Sequence, residues 1–122
     1  MINNYVGNQR HFDLEERTEK FGRDIIYFCK KISTTTITQP LVHQLVKAGT
    51  SVGANYCEAD DAESKKDFKH KIGICKKEAR EAKYFIRMII VALPNMKDEA
   101  ERLWQEAKEL NLIFNKIYQK VK

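Results

Sequence analysis

The sequence predicts an all-α fold, an antiparallel up-down-up-down bundle of four long helices. Three observations predict it. Apolar residues recur at alternating steps of three and four over four separate stretches, which places them along one face of a 3.6-residue helix. Glycine (5) and proline (2) are too sparse for a turn-rich β fold. The stretches are joined by short polar turns, and short connections make consecutive helices antiparallel neighbours. The 122 residues fit one domain, large enough to bury a continuous core without disulfides or metal.

Residues 1–12 are polar and aperiodic and read as a flexible N-terminal arm, leaving residues 13–122 as a single bundle domain. The first helix is expected from Asp13 to Ser33, with Leu14, Phe21, Ile25, Phe28 and Ile32 inward and Thr18 filling the missing step. The run Ser33, Thr34, Thr35, Thr36, with its β-branched threonines, ends it and caps itself. The second helix opens at Thr38 or Gln39, with Pro40 in its first turn, where the missing N–H costs nothing. Its inner stripe is Leu41, Leu45, Ala48, Val52, Asn55 and Ala59. Gly49 and Gly53 sit mid-helix, at a cost of about 1 kcal/mol each relative to alanine, so a neighbouring helix is expected to approach closely there.

The third helix carries the longest unbroken pattern. Ser64 followed by Asp67 resembles a capping box, and Phe68, Ile72, Cys75, Ala79, Ala82, Ile86, Ile89 and Leu93 follow before Pro94 stops the helix. In the fourth helix Asp98 and Glu99 favour the N-terminus, and Ala100, Leu103, Ala107, Leu110, Phe114, Ile117 and Val121 form the stripe.

Several function classes can be set aside. The longest apolar run, Met88 to Leu93, is six residues, far short of a membrane span. Met1 to Glu16 holds no apolar core of a secretory signal. Cys29, Cys57 and Cys75 are odd in number and form no CxxC pair, so they read as reduced, mostly buried thiols of a cytoplasmic protein. A di-iron bundle needs two Glu-x-x-His pairs, and the chain has none; Asp67-Phe68-Lys69-His70 comes nearest, with Asp67 better explained as a cap. His11, His43 and His70 come from three segments without ligand spacing. Cys75 lies on a core stripe, where a thiol is inert. No enzyme, metal or cofactor is expected.

The net charge of +5 is concentrated in one segment. Residues 65–87 hold nine Lys/Arg and three Asp/Glu, net +6, against thirteen and fourteen, net −1, in the rest. Lys69, Lys76, Arg80, Lys83 and Arg87 share one face of the third helix, with Gly73 in the gap and Lys65 extending the line. Cations along a rigid helix can track the phosphates of RNA or DNA. The other reading is a solvated face, or one that pairs with the acidic run Glu58 to Glu63. The segment contains no interleaved aromatic set, so base reading is not expected.

Tyr84, Phe85, Met88, Ile90 and Val91 lie off the inner stripe of the same helix. A helix apolar all round exceeds what one bundle face can cover, so these residues read as a subunit interface of a homo-oligomer, or as a broad contact within one subunit.

The combination Gln44-Leu45, Ala48-Gly49-Thr50-Ser51-Val52-Gly53-Ala54-Asn55-Tyr56, Glu58-Ala59, Asp67-Phe68, Lys71-Ile72 and Lys77-Glu78-Ala79 resembles a family of small four-helix-bundle proteins. These are often encoded in intervening sequences of 23S ribosomal RNA genes. The likeness spans roughly residues 14–120. It implies a cytoplasmic bacterial protein assembled into a homopentameric barrel. More distantly the family is similar to the accessory variability proteins of diversity-generating retroelements, basic pentamers that bind nucleic acid and a reverse transcriptase. A ring would multiply weak phosphate contacts. Asn55, Tyr56 and Glu58 match the family motif, and Asn55, on an inner stripe, is read as structural because a buried amide needs partners. The leading expectation is a non-enzymatic nucleic-acid-binding oligomer; its rival is a protein-interaction scaffold, for a reverse transcriptase or a ribosome-associated partner, that touches no nucleic acid directly.

Overall fold

The computed structural model describes the backbone from Asn8 and the side chains from Leu14 to Lys122. Among the described residues the fold is all-α, with four long helices: α1 (Asn8–Lys30), α2 (Thr38–Asp60), α3 (Lys65–Ala92) and α4 (Lys97–Lys120). A single 3-10 turn, Pro94–Met96, joins α3 to α4. Residues 1–7 of the expected arm lie outside the described residues, and α1 takes in the remainder. The apolar period marks only the packed part of a helix, and polar residues ahead of it extend the helix at one backbone bond each. At the other end α1 stops at Lys30, short of Ser33.

The threonine run behaves as expected for a self-capping turn. Thr35 Oγ1 accepts from the N–H groups of Ile37 and Thr38, at 3.2 and 3.0 Å. Buried Thr38 donates from its hydroxyl to the Ser33 carbonyl at 2.6 Å, which closes the turn from the other side. The opening of α3 also matches: Ser64 Oγ accepts from the Asp67 N–H at 3.0 Å, satisfying one of the helix's orphan donors.

The inner stripes of α1 and α4 are buried at every expected position. On α3 the stripe is buried from Phe68 to Ile89, while Leu93, just past the helix end, is half-buried. On α2 the expectation needs correction. Tyr56, not Asn55, points inward: it is 1% exposed and its ring packs against Phe114 at 5.8 Å between centroids. Asn55 is half-buried and donates to the Ser51 carbonyl at 2.9 Å, one turn back in its own helix.

The mid-helix glycines explain the α1–α2 packing. A Cβ on Gly49 would stand 2.9 Å from Ile25 Cγ1, and one on Gly53 would stand 3.3 Å from the Thr18 carbonyl oxygen. Alanine at Gly49 would therefore collide with a stiff, β-branched core side chain, so its helix-propensity gain of about 1 kcal/mol is opposed by steric strain. The α1–α4 contact is the sparsest of the four between adjacent helices. Ion pairs help to bridge it: Arg17 is bidentate on Glu106, at 2.7 and 2.8 Å, and also reaches Glu109 at 2.7 Å. Lys31 pairs with Glu99 at 2.8 Å. No helix of the described residues is long and apolar enough to cross a membrane.

Candidate nucleic-acid interface

The α3 cations lie along one side of the helix, and none is buried. Lys65, Arg80 and Arg87 are exposed, and Lys69, Lys76 and Lys83 are half-buried. From Lys69 to Arg87 the line is about 27 Å long at 1.5 Å per residue. The acidic run engages a flanking residue instead: Lys71 Nζ contacts Glu58 Oε1 at 2.7 Å, which raises the lysine's pKa. Among the described residues Lys69, Lys76, Arg80, Lys83 and Arg87 make no ion pair.

What holds most of them is aromatic. Lys69 and Lys76 stand over the ring of Tyr118, 4.7 and 4.6 Å from its centroid. Arg87 and Lys83 lie over Trp104 at 4.3 and 5.8 Å, and Lys108 of α4 joins them at 5.5 Å. Such contacts contribute about 0.5–1 kcal/mol each at exposed sites. They fix the cation without cancelling its charge, as a carboxylate would. Arg80 stands between the two groups.

The helices are seated to allow this. Gly73, in the gap of the cation line, leaves room for the Tyr118 ring: a Cβ there would be 3.1 Å from Tyr118 Cε2. Asn111 donates to the Lys76 carbonyl at 2.8 Å, and Lys76 donates to Asn115 Oδ1 at 3.3 Å. As numbers rise along α3 from Lys69 to Arg87, the partners fall along α4 from Tyr118 to Trp104. The indole N–H of Trp104 is enclosed and has no acceptor among the described residues. A stranded donor costs about 1–3 kcal/mol, which phenylalanine at that position would avoid.

The aromatic component was missed in the sequence because it comes from another helix. Trp104, Lys108, Asn111, Asn115 and Tyr118 follow their own 4-3-4-3 spacing beside the inner stripe of α4, so the line was readable. Its register against α3 was not.

The apolar residues expected at a subunit interface divide into two groups. Phe85 and Ile90 are half-buried and pack against the core of their own subunit. Met88 is half-buried, whereas Tyr84 and Val91 are 57% and 73% exposed. Tyr84 meets Phe85 edge-on at 5.2 Å.

Residues considered for chemistry are dispersed. Burial pushes the Cys29 thiol up to about 11 and Cys75 up to about 12, so both stay protonated at neutral pH. Cys57, in contrast to the expected burial, is exposed; partial desolvation and nearby Glu15 still raise its pKa. His43 and His70 are exposed, and no three His, Cys, Asp or Glu residues converge as metal ligands among the described residues. The side chain of His11 lies outside them. An open cleft of about 540 Å³ between α1 and α4 is lined by mixed charges, including Lys20, Asp24, Arg102 and Glu106.

The fold and this face define an all-α protein with a basic, aromatic-backed helix pair. The chain belongs to the 23S rRNA-intervening sequence protein family, whose model matches residues 10–116. It is similar to a protein of unknown function from the S23 ribosomal protein family of Bacteroides thetaiotaomicron VPI-5482, whose crystal structure superposes with a TM-score of 0.76 at 25% identity. That match covers 88% of this chain and 99% of the other. Comparison with curated proteins gives no match.

Proposed function

We propose that this protein is a non-enzymatic, oligomeric antiparallel four-helix bundle that binds RNA or DNA through its α3–α4 face, mainly by charge. One observation carries the reading. Four cations on one helix, Lys69, Lys76, Lys83 and Arg87, are held over rings rather than neutralised by carboxylates, and with exposed Arg80 between them they keep their charge for an external anion. The falling order of α4 partners along α3 supports the antiparallel, up-down-up-down arrangement. A cytoplasmic bacterial location goes with this reading.

Each phosphate contact releases bound counterions, so affinity should fall linearly on a log–log plot against salt. Five contacts give a slope of about −3.5 on a single strand and about −4.5 on B-DNA. Fluorescence anisotropy with labelled oligonucleotides over a salt series measures it. A flat dependence, or no retention of nucleic acid at low salt, would sink the charge reading and leave the protein-interaction scaffold, with a reverse transcriptase or ribosomal partner, in its place.

Exposed Tyr84 and Val91, with Met88 beside them, favour association of subunits through the C-terminal half of α3. The family resemblance sets the expected number at five. Light scattering should therefore give a mass several times that of one chain, and a lone monomer would remove this interface from the account.

A further inference from the structure

From the geometry of the α3–α4 face we infer that the nucleic acid it takes is single-stranded, with bases stacking on Tyr118 and Trp104. This deepens the charge-binding reading and rests on it. Both rings are half-buried, packed against the core, and overlain by cations. When a strand binds, the lysines and arginines over the rings transfer to its phosphates and uncover flat aromatic surface. A duplex keeps its base faces stacked inside and offers phosphates alone, whereas a single strand offers both.

Three features distinguish this from rings that merely position lysines. The aromatic surface occurs twice, at Trp104 and Tyr118, about 21 Å apart along α4 at 1.5 Å per residue, with exposed Arg80 of α3 between the two groups. That is the alternation of rings and cations that tracks an extended strand. Gly73 leaves the space that the Tyr118 ring occupies beside the helix backbone. Trp104 occupies its place although its N–H has no acceptor among the described residues, and what an indole adds there over phenylalanine is a larger π-face.

Trp104 is the only tryptophan in the chain, so its emission reports directly on the site. The full-length protein is titrated at low salt with oligo(dT), oligo(rU) and a duplex of matched length. Both single strands should quench Trp104 and bind more tightly than the duplex. Tyr118→Leu should weaken single-strand binding by roughly 5- to 100-fold and duplex binding much less, since it loses only the ring that positions Lys69 and Lys76, while Tyr118→Phe, which keeps the aromatic face, restores most of the single-strand affinity. Equal affinity for duplex and single strand, or unchanged Trp104 emission on binding, overturns the stacking inference and leaves the charge reading intact. Failure to bind any of the three overturns both. The quenching measurement needs no variant, so it stands even if Tyr118→Leu fails to fold.

Discussion

Replacing Phe114 with alanine is expected to destabilise the protein by about 3–5 kcal/mol, the range for emptying a fully buried phenylalanine site. Phe114 is 0% exposed, and its ring packs on Tyr56, itself 1% exposed, at 5.8 Å. The truncation removes apolar contacts and leaves a void beside a large ring that α2 holds in place. Collapse around the void is opposed by close packing elsewhere, notably where Gly49 presses on Ile25. Urea unfolding at one protomer concentration checks this, because the stability of an oligomer depends on concentration. The midpoint should fall with the slope unchanged, and Phe114→Leu should lose roughly 1–2 kcal/mol. A loss below about 1 kcal/mol for alanine would mean that the Tyr56–Phe114 contact is not part of a tightly packed core.

Much of this core could be read from sequence, because helix periodicity is a one-dimensional property. The stripes of α1 and α4 come directly from their spacing, and Ser64 and the threonine run declare their turns through side-chain chemistry. The failures have a common physical origin. Asn55 and Tyr56 are adjacent, and which of them turns inward depends on how α2 is rotated against α4, where Phe114 offers Tyr56 a partner. The start of α1 was placed late because polar residues can extend a helix without contributing to its apolar pattern. The candidate site was half legible. The α3 cations share a face by spacing alone, but the rings that hold them belong to α4, and only the register between the two helices brings Tyr118 under Lys69 and Lys76. The apolar end of α3 divides for the same reason: Phe85 and Ile90 are partly covered by the core of the same chain, while Tyr84 and Val91 are exposed.

Reversing the charge of Lys69, Lys76, Arg80 and Lys83 to glutamate is expected to reduce nucleic acid affinity by about 1,000-fold or more at low salt. Each substitution removes a cation available to phosphate and puts a carboxylate in its place, so attraction is replaced by repulsion along the same line. The salt dependence should collapse as well, since few counterion-releasing contacts remain. The fold should survive, because none of the four is buried and none forms an ion pair among the described residues. The lost cation–ring contacts cost about 0.5–1 kcal/mol each, less than the stability of an ordinary domain. Circular dichroism and light scattering can verify helicity and assembly before binding is measured. Net charge is the competing explanation, and a second variant separates it from the face itself. Lys20→Glu, Lys30→Glu, Lys116→Glu and Lys120→Glu makes the same total change at exposed positions outside the α3 line. If the line is the binding surface, this control keeps most of the affinity. Equal losses in the two variants would mean that overall charge, not the alignment of cations over Tyr118 and Trp104, governs binding.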